Sequence, residues 1–356
     1  MAKITNSPFK FLDAYGKEDE EIFFGRKQET EELYDRMFET NLVLLYGASG
    51  TGKTSLINCG LANQFESTDW NPIFVRLRGH DMIATLKEEL RGHCITKLDQ
   101  NASVIKLVNT LYKDYFKPVY IILDQFEELF ILTTKDQQKA FFEELYKLLE
   151  AHLQCKVLIS MREEYIAYLS EYEDIIPTLF DNRLRVEKMN STNLKEVIIK
   201  TTQEYDIQMI KPDEVATQII EKLRDKNHQI DLANLQVYLD RLYRLDVERR
   251  GKTQRKIQFD DNLIKQTGGL EDVMSSFLDE QLDVLEQELV KTQNVKQKGV
   301  PLDILFALVT DNGTKQAVDV AQIKKQLKRA KNIESKTIDY CISRFKEMRI
   351  LRELSQ

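Results

Sequence analysis

Gly47-Ala48-Ser49-Gly50-Thr51-Gly52-Lys53-Thr54 is the stretch that decides how this chain is read. It fits G-x-x-x-x-G-K-[ST], a loop that cradles phosphate groups. The flanks fit as well. Asn41 to Tyr46 (NLVLLY) reads as a buried strand running into the loop, and Thr54 to Phe65 (TSLINCGLANQF) reads as a helix leaving it. Glycines let the backbone curl so that several N–H groups converge on phosphate oxygens. The helix N-terminus adds partial positive charge. The phosphate-contacting set is therefore Gly47, Ser49, Gly50, Thr51, Gly52, Lys53, Thr54 and Ser55. Lys53 reaches the β- and γ-phosphates, and the Thr54 hydroxyl is a ligand for Mg²⁺.

The 356 residues allow two or three domains, and 42% hydrophobic content is enough to bury real cores. Fifty-one basic against 58 acidic side chains leave a net charge of −7, a balance that does not favour a large nucleic-acid footprint. No apolar run approaches a membrane span, and residues 1–11 carry no signal-peptide core. The four cysteines (Cys59, Cys94, Cys155, Cys341) are scattered, without a C-x-x-C pair. That pattern points to a reducing cytoplasm and no zinc site. The four histidines likewise lack metal-ligand spacing.

Residues 1–190 alternate strand-like and helix-like segments. The strand candidates are 41–46, 72–77, 118–124, 155–161 and 183–188, with helical patterns such as 136–153 between them. Buried strands separated by helices predict an α/β fold with a parallel sheet and helices on both faces. Beyond about 190 the pattern turns helical. Ser191-Thr192-Asn193 caps one helix, Pro212 opens another, and Leu232 to Leu245 carries an apolar stripe. Thr267-Gly268-Gly269 marks a further boundary. The final stretch reads as helices at 302–310, 319–330 and 335–347 and then a strand stub at Ile350-Leu351, the pattern of a winged-helix module. The expected domains are thus a nucleotide-binding domain at 1–190, a helical domain at 191–266 and a winged helix at 267–356. The charge-rich stretch 246–256 reads as a solvated loop or as a small basic contact surface.

Ile121-Ile122-Leu123-Asp124 is an apolar strand ending in an acid, which puts Asp124 at the ligand crevice beside the phosphate loop as the candidate Mg²⁺ partner. Glu127 and Glu128 follow. One of them can orient and deprotonate an attacking water, and the sequence does not choose between the two. A second apolar strand ends at Arg162. Its guanidinium is either a γ-phosphate sensor or a surface cation paired with Glu163 or Glu164. Upstream, Phe23, Phe24, Gly25 and Arg26 combine an apolar pair with a glycine turn. They offer a wall and backbone hydrogen bonds for a base, or else ordinary core packing. Trp70 reads as a packing residue at a strand entry.

Together these motifs resemble those of STAND-class P-loop NTPases, in particular the bacterial novel STAND branch. Pro8-Phe9-Lys10-Phe11-Leu12, Asp19, Phe23-Phe24-Gly25-Arg26-Lys27 and Asp124-Gln125-Phe126-Glu127-Glu128-Leu129-Phe130 are similar to the family's opening and acidic motifs. Ser160-Met161-Arg162 stands where the family has its sensor arginine, and Thr267 to Glu271 resembles the entry to its winged helix. The resemblance implies a cytoplasmic ATPase switch, closed with ADP and oligomeric with ATP, using Mg²⁺ and turning over slowly. A sensor or effector would lie on a continuing C-terminal region or act in trans. Two departures concern nucleotide locking. Ala233 replaces the proline of L-P-x-L-Q, and no histidine follows His228, which leaves Lys315 as a weak substitute. Adenine is favoured over guanine, since N-K-x-D is absent and the Phe24-Gly25-Arg26 segment resembles the adenine-side motif. The competing readings are a DNA-associated AAA+-type ATPase and a module that binds nucleotide without hydrolysing it. For the first, the cluster Lys324, Lys325, Lys328, Arg329 and Lys331 would meet DNA.

Overall fold

The computed structural model describes residues 7–10, 13–77, 81–224, 229–251, 253, 255–295, 297–309, 318–347 and 350–351. His80, His228, Lys315, Phe11 and Leu12 lie outside them. The chain divides into two compact units, residues 1–267 and 268–354. The helices after residue 190 thus share a unit with the sheet up to Thr267.

Five parallel strands form that sheet: β1 (Leu42–Gly47), β2 (Asn71–Val75), β3 (Val119–Leu123), β4 (Cys155–Arg162) and β5 (Arg183–Arg185), in the spatial order β2-β3-β4-β1-β5. Residue alternation assigns the two faces. Leu42, Leu44, Ile121 and Leu123 face one way and pack with α3 (Met82–His93), α4 (Val104–Tyr115) and α6 (Lys135–Glu150). Val43, Leu45, Tyr120 and Ile122 face the other way and pack with α1 (Lys27–Glu39) and α2 (53–64). Strands covered on both faces carry continuous apolar runs, as observed. Each fully buried Leu or Ile contributes about 1.5–3 kcal/mol. Trp70 packs as expected, its ring stacked 4.5 Å from Phe65.

The expected strands are all present, with modest shifts at their ends. The ladder of β5 ends at Arg185, although Val186 N still donates to Tyr46 O at 2.7 Å. α2 starts at Lys53 and ends at Gln64, with a π-helical stretch over Leu56–Leu61. Between β3 and β4 lies the short helix α5 (Glu127–Leu132).

After β5 come α7 (Ser191–Glu204), the short strand β6 (Gln208–Met209), α8 (Pro212–Leu223), α9 (Leu232–Arg250), the short strand β7 (Gln258–Phe259) and α10 (Asp261–Thr267). The cap of α7 is Asn190, one residue earlier than expected, because its side chain reaches the Asn193 amide at 2.9 Å. The 246–256 stretch is not a loop throughout. α9 continues to Arg250, and Asp246 is fully enclosed, bonded to Arg249, Arg255 and the Gln258 amide. Cations drawn into such a network form no free basic surface.

The second unit contains α11 (Leu270–Gln293), α12 (Val300–Phe306), α13 (Val320–Lys331) and α14 (Ser335–Glu347) around a core that includes Leu285, Ile304, Ile323, Ile338 and Phe345. The strand stub expected at 350–351 is absent from the described residues. Ile350 N and Leu351 N both donate to Phe345 O, at 2.9 and 3.1 Å, so the chain turns back onto the end of α14.

Candidate active site

β1 leads directly into the phosphate loop, and its last residue, Gly47, is in register with Arg162 at the tip of β4. The loop runs through Gly50 and Gly52, both at positive φ, 75° and 87°, where side chains other than glycine are strained. Lys53 Nζ folds back onto the loop and donates to Gly47 O at 2.8 Å and Ala48 O at 2.9 Å. Burial pulls its pKa below the ordinary lysine value, opposed by the nearby carboxylates of Glu127 and Asp124. Thr51 is buried and donates to Ala48 O at 3.0 Å, which keeps the loop closed on itself.

Asp124 follows β3 but does not sit immediately beside the loop strand, because β4 lies between β3 and β1. The intervening strand supplies Ser160, whose hydroxyl donates to Asp124 Oδ1 at 2.9 Å. The other oxygen, Oδ2, accepts from the Thr54 hydroxyl at 3.0 Å. Thr54 and Asp124, 70 residues apart, are thus brought together as the sequence reading expected. One hydroxyl and one carboxylate are hard oxygen donors suited to Mg²⁺ that completes its shell with phosphate and water. Among the described residues no cluster of three or more His, Cys, Asp or Glu could hold a metal by itself. Ser160 was not singled out from sequence. Its signal was available only in its place two residues before Arg162, within the otherwise apolar run 157–161.

The two glutamates diverge, although they are neighbours at the start of α5. Glu127 is buried, accepts from the Arg162 amide through Oε2 at 3.2 Å, and pairs through Oε1 with Arg162 Nε at 3.2 Å. Glu128 turns toward Arg76 at the end of β2, at 3.5 Å, where Arg76 also bonds the Gln125 side chain. Gln125, just before the helix, takes a positive φ of 56°, and as consecutive helical residues the two glutamates point about 100° apart. Arg162 is paired with neither Glu163 nor Glu164. Glu163 instead binds Arg185 at 2.9 Å.

Arg26 is 3% exposed and faces inward. Its Nη2 donates to Thr51 O and to Glu187 O, both at 2.8 Å, and its Nη1 pairs with Glu29. The guanidinium therefore braces the phosphate loop from behind. Gly25, at φ 77°, is pressed so closely under α7 that a Cβ would lie 2.9 Å from Val197 Cγ2. Asn193 Nδ2 bonds its carbonyl at 3.0 Å. Phe24 lies under Lys200, 5.6 Å from the ring centre. Phe23, Phe24 and Gly25 line a cavity of about 260 Å³ together with Cys59, Gly60 and Asn63 of α2; no residue of the loop 47–55 lines it. Ser55 is reached from the N-terminal segment, its hydroxyl accepting from Tyr15 N at 3.1 Å. Ser49 and Gly50 are exposed at the mouth.

A five-stranded parallel sheet with this loop, acid and arginine at the strand ends defines a P-loop NTPase. The sequence matches the model of the family described as Novel STAND NTPase 1 over residues 8–353, and the chain belongs to that family. The resemblance read from the motifs therefore extends over nearly the whole chain. Among solved structures, the ADP form of the ORC2 protein of Aeropyrum pernix is similar with a TM-score of 0.54 at 15% identity, covering 96% of this chain and 90% of that one. The Walker-type ATPase PABY2304 of Pyrococcus abyssi is similar with a TM-score of 0.50 at 14% identity, covering 96% and 93%. At such identities the likeness is one of fold. No curated protein matches the sequence. No helix among the described residues is long and apolar enough to cross a membrane.

Proposed function

We propose that this NTPase is a slow ATP-driven switch, closed with ADP and self-associating with ATP. The observation that carries the catalytic part is the convergence of Lys53, Thr54, Asp124, Glu127 and Arg162 at the ends of β1, β3 and β4. In this reading the loop amides and the Lys53 ammonium hold the phosphates, with Lys53 leaving its two carbonyl partners to do so. Thr54 and Asp124 hold Mg²⁺, which supplies charge neutralisation to the β- and γ-phosphates when bound. Ser160 fixes the Asp124 carboxylate. Glu127 is the base that orients and deprotonates water, and Arg162 reads the γ-phosphate. Glu128 stays out of the chemistry, tied to Arg76.

Phosphoryl transfer then proceeds by positioning and electrostatics, without a covalent intermediate. The Glu127–Arg162 pair supports a switch. An arriving γ-phosphate competes with Glu127 for the same guanidinium, so pairing differs between the diphosphate and triphosphate states. We assign base recognition, with preference for adenine, to the Phe23–Gly25 segment, residues 191–266 to a helical domain and 267–356 to a winged-helix domain. A cytoplasmic setting and a sensor or effector partner complete the proposal.

The DNA-associated reading is weaker. Within its basic cluster Lys324 is paired with Asp339 and Lys331 with Asp303, both at 2.6 Å, which leaves Lys325, Lys328 and Arg329 on the exposed face of α13. Duplex binding that weakens steeply with salt would restore it.

The deciding experiment extracts the nucleotide carried by the purified protein and follows phosphate release from added ATP. Co-purified ADP with turnover below roughly 1 s⁻¹, the lower end of typical enzymes, is expected. An empty site with fast multiple turnover overturns the switch.

A further inference from the structure

Asp231 is an acid pressed against the anion-binding loop. It is the residue preceding α9, and its Oδ1 accepts from the Ala233 amide at 2.8 Å, which fixes the side chain. Its other oxygen, Oδ2, lies so close to Gly50 that a Cβ on that glycine would be 2.1 Å away, with the carboxyl carbon at 2.6 Å. The next residue continues the contact. A Cβ on Gly52 would meet Leu232 Cδ1 at 3.3 Å. The start of α9 therefore leans on two glycines of the phosphate loop. The Ala233 N–H that orients the carboxylate exists because this position is not a proline.

A loop whose amides and helix dipole attract anions thus has a fixed negative charge at its edge. We propose that Asp231 is a built-in competitor of the nucleotide phosphates: its carboxylate lowers nucleotide affinity. This rests on the reading that nucleotide binds at residues 47–54. The repulsion is between charges at the protein surface and so is screened by salt.

The test is Asp231→Asn in the full chain. Asparagine caps a helix as well as aspartate does, so the fold and the Ala233 bond persist while the charge is removed. An unchanged urea midpoint verifies this. Binding of ADP and of 2′-deoxy-ADP is measured by calorimetry at low and high salt. The expected result is roughly tenfold tighter binding of both ligands in the variant at low salt, with the gap closing at high salt. Unchanged affinity overturns the proposal. So does weaker binding of ADP alone, which would make the carboxylate a ribose ligand. If the unsubstituted protein binds neither nucleotide, the reading of the loop fails and not the assignment of Asp231.

Discussion

Exchange of Glu127 and Glu128, one at a time, for glutamine tests the chemistry most directly. The two side chains are adjacent at the start of α5 but differ in burial and in partner, Glu127 meeting Arg162 and Glu128 meeting Arg76. Glu127 is 6% exposed and contacts Arg162 twice, through its amide and its Nε. At 3.2 Å the gross attraction is about 5 kcal/mol at an effective dielectric constant near 20, much of it offset by desolvation. Glutamine keeps an acceptor for the Arg162 amide, so β4 and α5 stay joined, but it cannot take a proton from water. General bases contribute about 10²–10⁴-fold to rate, equivalent to about 2.7–5.4 kcal/mol in the barrier. Glu127→Gln should therefore lower kcat at least about a hundredfold, with ADP affinity changed by less than about threefold. Glu128 pairs at 3.5 Å with an Arg76 side chain that is 51% exposed, an interaction worth about 0–1 kcal/mol. Glu128→Gln should cost less than about fivefold. The assay is steady-state phosphate release at saturating ATP, with affinity measured separately. A hundredfold loss in Glu128→Gln beside a mild Glu127→Gln would refute the assignment.

Arg26→Ala should destabilise the first unit by about 3 kcal/mol in urea unfolding, because it strands the carbonyls of Thr51 and Glu187 and unpairs Glu29. Nucleotide affinity should fall with it, since the phosphate loop loses its brace. Lys53 binds phosphate in its protonated form, and burial already lowers its pKa. Nucleotide affinity should thus decline with rising pH from below the ordinary lysine value of 10.5, a decline that Lys53→Arg abolishes in a calorimetric pH series. For Asp246, burial alone would raise the pKa, yet the hydrogen bonds and charge of Arg255 and Arg249 hold it below the usual aspartate value. The stability it supplies is complete above the ordinary pKa of about 3.9 and drains away as pH falls through the lowered one. Asp246→Asn should cost about 3 kcal/mol at neutral pH and flatten that acid limb in urea titrations.

The sequence by itself determined the sheet and the identity of the loop. Apolar runs such as Ile121-Ile122-Leu123 record local burial, and the glycine spacing of 47–52 records a local backbone path, so both are legible without long-range information. The Thr54–Asp124 pairing was also legible, because a strand that ends in an acid at the crevice has few other uses. Tertiary structure decided the rest. That β4 intrudes between β1 and β3, bringing Ser160 to Asp124, depends on strand order, which periodicity does not encode. Which glutamate meets Arg162 depends on how α5 is set against the end of β4, a contact between residues 35 positions apart. Arg26 reads as a motif residue but serves as a brace, since its partners lie 25 and 161 residues away. The short apolar end at 350–351 looked like a strand, but its amides are taken by the end of α14. Asp231 drew no attention in sequence, and only the fold sets this cap of α9 against Gly50.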